Sequence, residues 1–188
     1  MGVHAINDGY YREGFSAFSA SLERIYETIT KILLFKDGFP YEDIDKLWKP
    51  LENSSERQLG TFIGVYANAM KCPPKILHTK KVENRNKVIH KGKFPSKEEA
   101  INYGQNVLDI INNLTDLMRT SLADATENYK KQIRKELNPG RKLITIIDYP
   151  TLIYGSYDRC GPGRNTLKEI LAFLEFNTKI EKGINPFT

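Results

Sequence analysis

Arg85, Asn86 and His90 fall within about one and a half helical turns in the stretch Arg85-Asn86-Lys87-Val88-Ile89-His90. An imidazole can take or give a proton near neutral pH. A guanidinium holds a phosphate, or the charge that grows on it during reaction, through paired charged hydrogen bonds. A carboxamide orients either group by donating and accepting hydrogen bonds. These groups together are what metal-free cleavage of an RNA phosphodiester needs.

The motif sits in the most basic part of the chain. Lys71, Lys75, Lys80, Lys81, Arg85, Lys87, Lys91, Lys93 and Lys97 face a single acid, Glu83, over this interval. That excess more than accounts for the net charge of +5 and the isoelectric point near 9.1. One reading is a solvated loop and helix face. The sharper reading is a cradle for a phosphate backbone, with Lys80, Lys81, Lys87, Lys91 and Lys93 as RNA contacts.

Composition excludes several other classes. With 40% hydrophobic and 27% charged residues, the chain reads as globular. No apolar run approaches the roughly 20 residues of a membrane span. The first residues lack a basic start followed by an apolar stretch, so no signal peptide is expected. Ile6 stands where a myristoylation signal requires Ser or Thr. Cys72 and Cys160 form no CxxC pair and read as reduced thiols of a cytoplasmic protein. His4, His78 and His90 show no metal-ligand spacing, so neither a metal nor another cofactor is expected.

The elements that must position the motif are helical. Phe15, Phe18, Leu22, Ile25, Ile29 and Ile32 recur at steps of three and four, which predicts a helix over 11–35 stopped by Gly38 and Pro40. The interval 40–53 reads as a loop with one helical turn near Ile44–Trp48. Ser55-x-x-Gln58 predicts a capped helix start, and Cys72-Pro73-Pro74 its end. A short helix is expected over 83–91. Ser96-x-x-Glu99 then opens a long helix that continues through Leu122 towards Glu136, with Asn138-Pro139-Gly140 as its stop. Beyond it, Leu143–Ile147 and Thr151–Tyr157 read as strands, and Thr166-x-x-Glu169 caps a last helix reaching about Phe176. The expected fold class is mainly α: a four-helix bundle over residues 1–140 with a small αβ C-terminal appendage over 141–188.

Residues five apart on a helix point about 140° away from each other. Arg85 and His90 therefore cooperate only at a helix end, or when a second copy supplies the opposing group. A twofold homodimer through the motif-bearing face does this simply.

A helical bundle with Arg-Asn-x-x-x-His between its second and last long helices resembles a HEPN domain. The stretch Arg85–His90, the following Lys91-Gly92 and the helix start Pro95-Ser96-Lys97-Glu98-Glu99 are similar to many sequences of that family. So is Leu22-Glu23-Arg24-Ile25-Tyr26 in the first long helix. The resemblance covers about residues 10–136. It implies a homodimer with the motif at its interface. In many members it also implies metal-independent endoribonuclease activity, often as a toxin or in anti-phage defence. A further reading is a partner-dependent toxin held inactive by an antitoxin or defence partner protein. Carried over by position, Arg85, Asn86 and His90 form the catalytic set. Some toxin members carry Tyr two residues after the His. Gly92 occupies that place here, which argues against regulation by modification of that Tyr.

The alternative is a non-catalytic HEPN-like dimerisation or RNA-binding module, because a fold does not establish chemistry. His78 reads as a surface residue near the RNA and His4 as part of a frayed terminus. Asp148, Tyr154, Tyr157, Asp158, Arg159 and Arg164 read first as turn chemistry around the glycines, and second as stacking groups for single-stranded RNA.

Overall fold

The computed structural model describes residues 1–137 and 166–182, and it is mainly helical. Among the described residues the elements are α1 (Gly2–Asn7), α2 (Tyr11–Lys36), α3 (Tyr41–Trp48), a 3-10 turn (Lys49–Leu51), α4 (Ser55–Met70), α5 (Thr79–His90), α6 (Lys97–Arg119), α7 (Ala123–Leu137) and α8 (Leu167–Glu181). The strands expected at 143–147 and 151–157, and the stop at Asn138-Pro139-Gly140, lie outside the described residues.

The chain divides into two units. The first takes Met1–Ala20, Leu77–Asp109 and α8; the second takes Ser21–Ile76, the rest of α6, and α7. In the first unit, Val3, Ile6, Phe15, Phe18, Val88, Tyr103, Val107 and Leu167 are buried. Phe15 stacks on Tyr103 with ring centroids 4.3 Å apart. Such a pair contributes about 0.5–1.5 kcal/mol beyond its buried area. Ser19 Oγ donates to the Phe15 carbonyl and lies 2.8 Å from the Tyr103 hydroxyl, so the buried phenol is satisfied. Gly104 lets three helices come together. A Cβ there would stand 2.6 Å from Phe18 and 2.7 Å from Leu167. Gln105 Oε1 accepts from the Leu167 N–H at 2.6 Å, and Thr166 and Glu169 exchange capping hydrogen bonds at the start of α8. α8 packs on α1.

The second unit buries Leu22, Tyr26, Ile29, Ile32, Leu33, Ile44, Trp48, Phe62, Ile111, Leu114 and Leu122. Tyr26 stacks on Phe62 at 4.4 Å, and Phe35, Tyr41 and Tyr129 form a ring cluster. Lys31 bridges Glu27 at 2.8 Å and Asp45 at 2.5 Å. Partial burial opposes the Lys31 charge, but the two carboxylates outweigh it and its pKa lies above the ordinary value.

Several local expectations shift. The cap of α4 is Ser54, whose side chain accepts from the Arg57 N–H, and not Ser55. Gln58 is not a capping partner: its amide donates back to the carbonyls of Leu51 and Glu52. The helix near Ile44 has two turns. The helix expected to run from Ser96 to Glu136 is broken between Arg119 and Ala123, where the Thr120 hydroxyl donates to the Asp116 carbonyl and the Leu122 N–H to that of Leu117. Residues 2–7 form a helix anchored by Val3 and Ile6, so His4 is exposed on ordered structure and not in a frayed end.

Candidate nucleic-acid interface

α5 starts four residues before its expected place. His78 stands at its N-cap, with Nδ1 accepting from the Lys80 N–H at 3.3 Å. This is the position of His78, which the sequence alone reads as a plain surface residue. Gly92, in the left-handed region at φ 70°, ends the helix, and the Lys93 N–H donates back to the Lys87 carbonyl at 3.1 Å.

Val88 is the buried residue of α5. Polar links supplement it. The Lys81 ammonium donates to Asn102 Oδ1 at 2.5 Å, and the Lys93 ammonium donates to Asn84 Oδ1 at 2.9 Å. At about 100° per residue, Lys81, Asn84 and Arg85 flank the Val88 direction within about 60°, while Lys80, Glu83, Lys87 and His90 turn away from it.

The three motif residues divide across this helix. Arg85 and Asn86 are half-buried, and His90 is exposed in the last position. Arg85 Nη1 donates to Asn86 Oδ1 at 3.0 Å. Asn86 and His90, four apart, share one face. The carboxamide thus stands between a guanidinium it accepts from and an imidazole one turn further on. This face can offer a cation, an amide donor and a proton-transfer group to one anionic ligand. Within one chain, Arg85 and His90 remain about 140° apart.

The lysines separate into two kinds. Lys80, Lys87 and Lys91 are exposed. Lys81 and Lys93 are engaged in the fold. Lys93 also pairs with Glu99 at 2.5 Å, whose other oxygen accepts from the Ser96 N–H at 3.1 Å while the Glu99 N–H donates to Ser96 Oγ. The capping box of α6 is therefore present, and Lys93 is added to it. The Lys93 hydrogen bond, with the Ser96 N–H after it, holds the Glu99 carboxyl below its ordinary value.

Arg12, near the start of α2, escaped the sequence reading. Its guanidinium donates to the Ile89 carbonyl at 3.4 Å, beside His90. No local pattern pairs positions this far apart. Phe94, in the loop after α5, is 82% exposed.

Among the described residues no cluster of three His, Cys, Asp or Glu side chains is placed to hold a metal ion. No described helix is long and apolar enough to cross a membrane. Cys72 is exposed, whereas Cys160 and the tail residues 148–164 lie outside the described residues. A cavity of about 380 Å³ lies in the second unit among Phe35, Lys36, Thr120, Asp124 and Asn128, and no α5 residue lines it. The chain matches no known protein family, no curated protein and no solved structure.

Proposed function

We propose that the protein is a HEPN-like, homodimeric, metal-independent endoribonuclease that acts in the cytoplasm as a toxin or anti-phage effector. The observation that carries this reading is the Arg85–Asn86 hydrogen bond one helical turn before His90, on a helix with exposed Lys80 and Lys87 and with exposed Lys91 just past its end. The Arg-Asn-x-x-x-His resemblance supplies the family.

In the proposed reaction, one His90 takes the proton of the ribose 2′-hydroxyl as the 2′-oxygen attacks phosphorus. The bond from phosphorus to the 5′-oxygen breaks, and the protonated imidazole of the second copy's His90 gives its proton to that leaving oxygen. Arg85 stabilises the charge growing on the phosphorane, and Asn86 orients the guanidinium or the phosphate. The products are a 2′,3′-cyclic phosphate and a 5′-hydroxyl. DNA is spared because it has no 2′-hydroxyl. The face that carries half-buried Asn86 and exposed His90 is where the second copy docks, and where an antitoxin or defence partner would block access.

The test is cleavage of bulk tRNA and mRNA in EDTA by the purified protein and by His90→Ala. Cyclic phosphate ends from the wild type, and a rate at least about 10²-fold lower in the variant, support the reading. A specific observation favours a second reading, an RNA-binding or dimerisation module without catalysis: Arg85 and His90 diverge within one chain. Equal RNA binding with no cleavage by either protein selects that module.

A further inference from the structure

Phe94 has a placement that its apolar character does not explain. Single apolar residues on a surface are common. This one is 82% exposed in a loop fixed on both sides. Before it, the Lys93 N–H donates to the Lys87 carbonyl, and the Lys93 ammonium is held by Asn84 and Glu99. After it, Pro95 is buried and Ser96 is locked in the capping box with Glu99. The ring is therefore presented on a braced backbone. It lies four positions after His90, so the two Cα atoms are no more than about 14 Å apart.

Its surroundings favour one kind of ligand. Lys87 is exposed in the last turn of α5 and Lys91 just past its end, while Lys97, at the start of α6, is paired with Glu175 at 3.1 Å. A flat apolar ring among cations suits an unpaired base whose phosphates meet the lysines. A buried protein interface would instead leave those ammonium groups without water.

We infer that Phe94 is a stacking platform for an unpaired RNA base next to the Arg85–Asn86–His90 face. The inference rests on the RNA-cleaving reading above and names its substrate class as single-stranded RNA. Duplex RNA keeps its bases stacked on one another and cannot offer one to the ring.

The test measures binding of the full chain to a fluorescent 12-nucleotide oligouridylate with 2′-O-methyl riboses, which cannot be cleaved through the 2′-oxygen. Phe94→Ala is expected to weaken binding about tenfold. Phe94→Trp should bind at least as tightly as the wild type, and Phe94→Leu as weakly as Phe94→Ala. Affinity for duplex RNA should not change across the set. Binding by Phe94→Ala within twofold of the wild type overturns the inference, as does wild-type affinity in Phe94→Leu. So does a loss of affinity that tracks dissociation of a dimer in sedimentation, which makes Phe94 an interface anchor. A wild type that binds through Phe94 but never cleaves unlabelled RNA sinks the ribonuclease reading and leaves the platform standing. Cleavage with no dependence on Phe94 does the reverse. A wild type that binds no single strand removes both.

Discussion

The Arg85 guanidinium donates to Asn86 Oδ1 at 3.0 Å, between neighbours on one helix. Neighbouring side chains leave a helix about 100° apart, so the long arginine lies along the surface to reach its acceptor. That turns its charge from the flank of Val88 towards the face that carries His90. Asn86→Ala removes the acceptor and should lower the RNA cleavage rate about 10–100-fold, with affinity for uncleavable RNA nearly unchanged. Asn86→Asp should lower both, because a carboxylate pins the guanidinium and competes with phosphate. A wild-type rate in Asn86→Ala would remove Asn86 from the site.

The two kinds of cation should respond differently to salt. Arg12→Ala and Lys87→Ala should each reduce the slope of log affinity against log salt by about one. Lys93→Ala, whose ammonium already has two partners, should lower the melting temperature and leave that slope nearly unchanged. An unaltered slope in Arg12→Ala would show that its guanidinium only caps the Ile89 carbonyl.

Glu99 gives the loop after α5 an acid limit. Its folded pKa lies below the ordinary value near 4.5. The stabilisation is therefore present above that ordinary value and fades as pH falls through the lower folded one. The pair is partly exposed, so the amount is about 0.5 kcal/mol. Glu99→Gln should be less stable than the wild type at neutral pH, and the two should converge in acid. Denaturant melts at a series of pH values measure this. A gap that persists below pH ~3 would assign the effect to packing and not to the charge.

Two glycines should behave oppositely. Gly104→Ala forces a methyl into Phe18 and Leu167 and should destabilise by about 1–3 kcal/mol. Gly64 in α4 has open space at the same atom, so Gly64→Ala should stabilise by about 0.5–1 kcal/mol. Thermal unfolding reads both. A neutral Gly104→Ala would show that the helices separate at little expense.

Legibility in the sequence followed the range of the interaction. The stripe of α2 and the capping boxes at Ser96 and Thr166 depend on residues three or four apart, and they stand where expected. At Ser54-Ser55 two equivalent hydroxyls compete, and the choice follows from Gln58 turning back to the Leu51 and Glu52 carbonyls. The start of α5 was hidden because His78 is an unusual cap. α1 was hidden because six residues cannot sustain a helix without a partner. In the candidate site, the motif was legible as a pattern. Arg12 on Ile89 and Lys93 on Glu99 were not, because each needs the chain folded back on itself.

The packing of α8 on α1 bears on when the protein can finish folding. These helices lie near opposite ends of the sequence, Gly2–Asn7 and Leu167–Glu181. On a ribosome, α1 must wait through the synthesis of every intervening helix before α8 emerges. Closing so large a loop is slow in itself. The unit that contains α5 therefore completes its core only after α8 has been made. A nascent chain bears Arg85, Asn86 and His90 long before α8 is made to complete the core of their unit.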